Sequence, residues 1–73
     1  MTPAELLQLE ITSSLLSAEV SHRRHGMYLA HERWDDLDDD TRAVAIDCVR
    51  RGGWHPRYAD SWPRIYRAAR EAS

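Results

Sequence analysis

The N-terminal third of the chain carries apolar residues on two opposite sides of one predicted helix, and this pattern limits the fold more than any other feature. Thr2, Pro3 and Glu5 match the N-cap, first and third positions of a helix start, where a hydroxyl and a carboxylate bind free amide groups. A helical repeat then continues to about His25. The sequence therefore predicts a long first helix over residues 3–25.

Two apolar stripes lie on opposite sides of this helix. One stripe holds Leu6, Leu9, Leu16 and Val20, and the other holds Ala4, Leu7, Ile11, Leu15 and Ala18. Either other helices of the chain cover both stripes, or one stripe meets another protein chain. A helix of about 23 residues spans about 35 Å, which is longer than two short helices can cover. We therefore expect a homodimer through Leu7, Ile11, Leu15 and Ala18, although the pattern leaves open which stripe faces the chain's own core.

Two shorter helices are predicted after the first. Gly26, which follows a basic run, favours a break or kink there over continuation of the first helix. Asp38 or Asp39 is a suitable N-cap for a helix over residues 39–51, and Pro63 lies in the first turn of a helix over 61–72. The fold class predicted is all-α, a small bundle of three or four helices in one domain over residues 1–73, with a long N-terminal helix.

Length and cysteine content restrict the class of protein. A chain of 73 residues buries only about 60% of its unfolded surface, so oligomerisation is a common source of additional stability. The single cysteine, Cys48, cannot form an internal disulfide, which favours a reducing compartment. No apolar run approaches the length of a membrane span and no signal peptide pattern is present, so a cytoplasmic location is expected.

Charge is unevenly distributed along the chain. Residues 32–47 contain seven acidic and two basic side chains, whereas residues 48–73 contain six basic and two acidic ones. The acidic run predicts a partner-binding surface at Asp35, Asp36 and Asp38, which suits a basic partner. A second partner-binding surface is predicted where Arg and aromatic residues are interleaved, because these residues dominate protein interfaces. It comprises Trp54, Arg57, Tyr58, Arg64 and Arg67.

The sequence offers little support for catalysis or for a bound metal. Cys48 lies in the middle of a predicted helix and on its apolar side, where a thiol is usually unreactive. No nucleophile elbow or phosphate loop is present. The four histidines lack the spacing of a structural zinc motif. We therefore expect a protein that is not an enzyme and that uses no cofactor and no metal.

Trp34 and Leu37, followed by Arg42 in a new helix, resemble a pattern in small, mostly uncharacterised helical proteins of phages of GC-rich bacteria. In that pattern a Trp-acid-x-Leu turn caps a helix that opens with acidic residues and an Arg. The resemblance covers about residues 29–51, and the Arg-rich C-terminal segment departs from it. It implies a small accessory protein that binds a host or phage protein, and it supplies no catalytic residues.

These observations predict a protein-interaction module that acts sterically, as an accessory or inhibitor protein. The alternative is a nucleic-acid-binding regulator that uses Arg57, Arg64, Arg67 and Arg70.

Overall fold

The computed structural model confirms the all-α fold class. It describes residues 1–52 and 54–72, so Gly53 and Ser73, which the predicted domain includes, lie outside the described residues. Within the described residues there is no strand. The helices are α1 (Pro3–Leu15), α2 (Val20–Glu32), α3 (Asp39–Arg51), α4 (Tyr58–Ser61) and α5 (Pro63–Glu71), with a 3₁₀ turn at Trp34–Asp36.

The single long helix predicted over residues 3–25 is wrong, because the chain turns back after Leu15. Ser17 Oγ accepts a hydrogen bond from Glu19 N at 3.1 Å, a local bond that competes with continuation of the helix. Arg23 Nη1 then donates to the carbonyl oxygens of Ser17 at 3.0 Å and Ala18 at 2.8 Å, which lie in the turn between α1 and α2. The turn is therefore stabilised by bonds that a continuous helix would not make.

This turn makes α1 and α2 an antiparallel pair, and Gly26 lies inside α2 instead of ending a helix. The break or kink predicted at Gly26 is therefore wrong as well. A Cβ atom on Gly26 would lie 2.9 Å from Ser14 Cβ and 3.0 Å from Leu15 N. The glycine is required because the backbones of the two helices approach closely at this point.

The pairing of α1 with α2 decides which apolar stripe is internal. Ile11 is 0% exposed and Leu15 is buried, and both belong to the hydrophobic core with residues of every other long helix. Leu7 is half-buried against the same core, while Ala18 is exposed in the turn. The dimer interface predicted at Leu7, Ile11, Leu15 and Ala18 is therefore wrong for Ile11 and Leu15, because contacts within the chain already cover them. The fully buried core residues outside α1 include Met27, Ala30, Ala45 and Ile65.

Helix α3 spans the residues predicted for the second helix. Leu37 is buried just before its start, and Trp34 is half-buried against the core. Arg42 Nε donates to Trp34 O at 3.0 Å, and its guanidinium lies 5.4 Å from the centre of the Trp34 ring. The three residues that carry the phage-protein resemblance therefore hold the 3₁₀ turn against the first turns of α3.

The third helix predicted over residues 61–72 corresponds to α5, and the short α4 lies mainly in the segment predicted to be a loop. Trp62 leaves the helical conformation, with φ −128° and ψ 58°, and separates the short α4 from α5, which begins at Pro63. Ile65 and Ala69 are the buried residues of α5. Among the described residues, no helix combines the length and the apolar character that crossing a bilayer requires.

Candidate partner-binding surface

The side chain of Gln8 links α1 to the acidic turn, defined here as residues 35–40. Its Nε2 donates to Asp36 O at 3.0 Å, and its Oε1 accepts from Asp38 N at 3.1 Å. These bonds fix the turn beside the middle of α1, so the acidic turn and the outer side of α1 form one continuous surface. Sequence analysis missed this role of Gln8, because its partners lie 28 and 30 residues away and no local pattern marks them.

Asp38 is the N-cap of α3. Its Oδ1 accepts a hydrogen bond from Thr41 N at 2.8 Å, which satisfies one of the free amide groups at the helix start. The hydrogen bonds from the Thr41 backbone and side chain lower the pKa of the Asp38 carboxyl below its ordinary value of 3.8. Asp38, one of the two N-caps predicted for α3, therefore stabilises the start of that helix. Its role in partner binding stays a prediction.

Replacing Asp38 by Ala is expected to lower the thermal unfolding midpoint at pH 7, because α3 loses its cap. The pKa of Asp38 is lower in the folded protein than in the unfolded chain. The contribution of the ionised carboxylate to the free energy of unfolding is therefore complete above the pKa of the unfolded chain, and it is lost as the pH falls through the lower pKa of the folded protein. The difference between wild type and Asp38→Ala should thus shrink below about pH 4. Asp38→Asn is the control, since Asn caps helices but does not ionise. Thermal melts that show an equal difference at pH 7 and about pH 2 would contradict this prediction.

Asp35 and Asp36 take part in exposed ion pairs. Arg33 Nε lies 3.0 Å from Asp36 Oδ2, and Arg64 Nη1 lies 3.2 Å from Asp35 Oδ2. The Asp35 side chain is nevertheless 83% exposed. Exposed ion pairs of this kind contribute about 0–1 kcal/mol to the free energy of unfolding. Because the pairs are weak and the side chains are exposed, both carboxylates stay accessible to a partner.

The outer side of α1 presents an apolar strip, called here the α1 ridge and defined as Leu6 and Leu9. The two leucines are three residues apart and are therefore neighbours on the same side of the helix. Each is 53% exposed. Leu16, two helical turns beyond Leu9, is 66% exposed. The ridge belongs to the stripe of Leu6, Leu9, Leu16 and Val20, on the side of α1 opposite Ile11 and Leu15. The homodimer was predicted through the other stripe, so the exposed stripe is not the one predicted to form the dimer.

A groove borders the α1 ridge on each side. The first groove, of about 570 Å³, passes between Leu6 and the 3₁₀ turn, and the second, of about 330 Å³, passes between Leu9 and the start of α3. Four carboxylates line these grooves and are called here the acidic rim: Glu5, Glu10, Asp36 and Asp38.

Few basic groups offset the acidic rim. Residues 1–19 contain no Arg, Lys or His. Arg33 enters the first groove and pairs with Asp36, and His25 Nε2 lies 3.9 Å from Glu10 Oε1 with both side chains exposed. The outer side of α1 is thus an apolar strip between mainly negative borders.

The aromatic residues of the second predicted surface make most of their contacts inside the fold. The Tyr58 ring stacks on Trp62 with centroids 4.5 Å apart, and Trp54 meets both rings edge-on. Trp54 Nε1 also donates to Cys48 O at 3.3 Å. Trp54 and Tyr58 are half-buried in consequence, and they attach the loop after α3 to the core.

The arginines of the second predicted surface are exposed. Arg57 lies over the Tyr58 ring with its guanidinium 5.8 Å from the ring centre. Arg64 and Arg67 line a groove of about 260 Å³ with Trp34 and Asp35. Through the Arg64–Asp35 pair the two predicted surfaces meet, and Asp35 partly neutralises the positive charge that nucleic-acid binding would require.

The residues considered for chemistry are dispersed. Among the described residues, no three His, Cys, Asp or Glu side chains converge as metal ligands would. Burial raises the pKa of the Cys48 thiol, and its Sγ lies 4.0 Å from Leu15 O. Burial also raises the pKa of Tyr66. Hydrogen bonding at a helix cap or burial therefore accounts for the shifted pKa values of Asp38, Cys48 and Tyr66.

Comparison of the chain with models of protein families, with curated proteins and with solved structures gives no match.

Proposed function

We propose that this chain is a non-enzymatic protein-interaction module that acts by covering a surface of another protein with the outer side of α1. The observation that carries the proposal is the α1 ridge, whose two leucines stay half-exposed between grooves while Ile11 and Leu15 of the opposite stripe are buried in the core. Adjacent exposed apolar side chains bordered by polar groups are typical of a protein-binding surface. Steric action of this kind suits an accessory or inhibitor protein of the phage type.

The ridge is held on a rigid support, which favours binding. Leu7 and Ile11, on the inner side of the same helix, pack on the core, and the capping box of Thr2 and Glu5 fixes the helix start. Gln8 attaches the adjoining acidic turn. Since little of this surface must be ordered on binding, less of the interaction free energy is lost to ordering.

A homodimer through the N-terminal helix would have to use the α1 ridge, because Ile11 and Leu15 are internal. The alternative of a nucleic-acid-binding regulator through Arg57, Arg64, Arg67 and Arg70 stays a prediction.

The experiment that tests the proposed function is a selection of displayed helical peptides on the immobilised wild-type protein, followed by binding measurements on variants. We expect selected peptides to bind the Leu6→Ser/Leu9→Ser double variant about tenfold or more weakly than the wild type. The reason is that this variant lacks the two apolar side chains that the peptides would bury in the complex. Circular dichroism should show that this variant is still helical and folded at the temperature of the binding measurement, since neither leucine belongs to the buried core.

The matched control is Tyr28→Ser, which removes a side chain of similar exposure, 56%, from a different groove on α2. Peptides that bind through the α1 ridge should not distinguish this variant from wild type. Selected peptides that bind the double variant as well as they bind the wild type would refute the proposed function.

A further inference from the structure

We propose that the α1 ridge binds a cationic amphipathic helix of another protein, whose apolar side chains cover Leu6 and Leu9 while its Arg or Lys side chains pair with the acidic rim. This inference rests on the proposed function and specifies the chemistry of the partner.

The shape of the surface suits a helix. Leu6 and Leu9 form a narrow row along α1, and the two grooves run on either side of it. Helices pack by placing the ridge of one in the groove of the other, so apolar side chains of a second helix fit beside this row. An amphipathic helix in a groove is a common mode of peptide recognition.

The charge of the surface specifies the flanks of that helix. Glu5 and Glu10 lie on α1 next to the leucines, and Asp36 and Asp38 are held opposite them by Gln8. Carboxylates on both sides of an apolar strip attract a helix that carries basic residues on both sides of its own apolar face. They repel one that carries acidic residues there.

A second copy of this chain is a poor occupant of the same surface. Two α1 ridges face to face would bring Glu5 and Glu10 of each copy near those of the other, with no base on either α1. The Arg-rich side of α5 has the complementary charge, but its apolar residues Ile65 and Ala69 are buried and cannot cover the leucines. The partner must therefore bring its own apolar and basic residues together, as a cationic amphipathic helix does.

The test uses two synthetic helical peptides that differ only in the charge beside a leucine stripe. One carries Lys and Arg on both sides of the stripe, and the other carries Glu at the same positions. Fluorescence anisotropy should give a dissociation constant about tenfold lower for the cationic peptide, and the difference should narrow at high salt. Leu6→Ser/Leu9→Ser should weaken binding of the cationic peptide about tenfold or more, whereas Tyr28→Ser should not change it.

The acidic rim is tested by Glu5→Gln/Glu10→Gln, which removes two of its charges without changing side-chain size. This variant should reduce the preference for the cationic peptide about threefold and weaken its salt dependence. Because Glu5 takes part in the capping box, the melting temperature is measured alongside, and Glu10→Gln alone is the variant that leaves the cap intact.

The outcomes separate the inference from the proposed function. If peptides bind with dependence on Leu6 and Leu9 but without preference for positive charge, the cationic partner is refuted and the interaction module stands. If light scattering shows a dimer that Leu6→Ser/Leu9→Ser dissociates, a second copy is the occupant and the inference is refuted. If no peptide, displayed or synthetic, depends on the α1 ridge, both proposals fail.

Discussion

Replacing Ile11 by Ala is expected to lower the free energy of unfolding by about 2–5 kcal/mol, because it empties a fully buried site in the core. The same truncation at Leu9, two residues away on the opposite side of α1 and 53% exposed, should change the free energy of unfolding by less than about 1 kcal/mol. Urea unfolding followed by circular dichroism measures both values.

This pair of variants distinguishes the two apolar stripes directly. A chain of 73 residues has a total stability of about 4–11 kcal/mol, so Ile11→Ala can leave too little folded protein to measure. In that case Ile11→Val, with an expected loss of about 0.5–1.5 kcal/mol, provides the comparison with Leu9→Ala. Equal losses at the two positions would mean that the α1 ridge is covered and that the assignment of the stripes is incorrect.

Replacing Gly26 by Ala is expected to destabilise the protein, although Ala is the better helix former by about 1 kcal/mol. The added methyl group would lie 2.9 Å from Ser14 Cβ, 3.0 Å from Leu15 N and 3.1 Å from Leu15 Cγ. Overpacking costs about 1–3 kcal/mol, and the upper end applies here because Leu15 N is backbone and cannot rotate away. The net loss of about 1–2 kcal/mol is measured by urea unfolding.

A double-mutant cycle with Ser14→Gly identifies the cause of that loss. Removing Ser14 Cβ relieves the shortest of the three contacts, so the penalty of Gly26→Ala should be smaller in the Ser14→Gly background. Ser21→Ala, at an exposed position of the same helix, controls for helix propensity and should have little effect. A stabilised Gly26→Ala protein would show that α1 and α2 do not approach as closely as described.

Local sequence signals were sufficient for the ends of several helices. Thr2, Pro3 and Glu5 form the predicted start of α1, with the capping box present, and Asp38 is one of the two N-caps predicted for α3. These signals succeed because a cap is a bond between residues three apart, which any chain with the right residues can form without help from the rest of the fold.

The interior of the N-terminal third required more than local signals. Residues 3–15 and 20–25 are helical, as the repeat predicts. The repeat does not show, however, that the chain reverses direction between these two helical segments, at residues 16–19. That reversal is favoured by Arg23 bonding back to Ser17 O and Ala18 O, and by burial of Ile11 and Leu15 against α2. The periodicity of apolar residues fits one straight helix as well as two shorter ones. Tertiary packing therefore decides between the two arrangements.

The residue pattern is enough to predict an all-α protein, the start of several of its helices and two apolar stripes on the N-terminal third. Which stripe is internal and which forms the α1 ridge follows from the packing of α1 against the other helices. The tertiary structure also brings the acidic turn beside that ridge through Gln8. The physical reason is that helix starts depend on neighbours in the chain, whereas burial and the charge around a surface depend on residues that become neighbours only when the chain has folded.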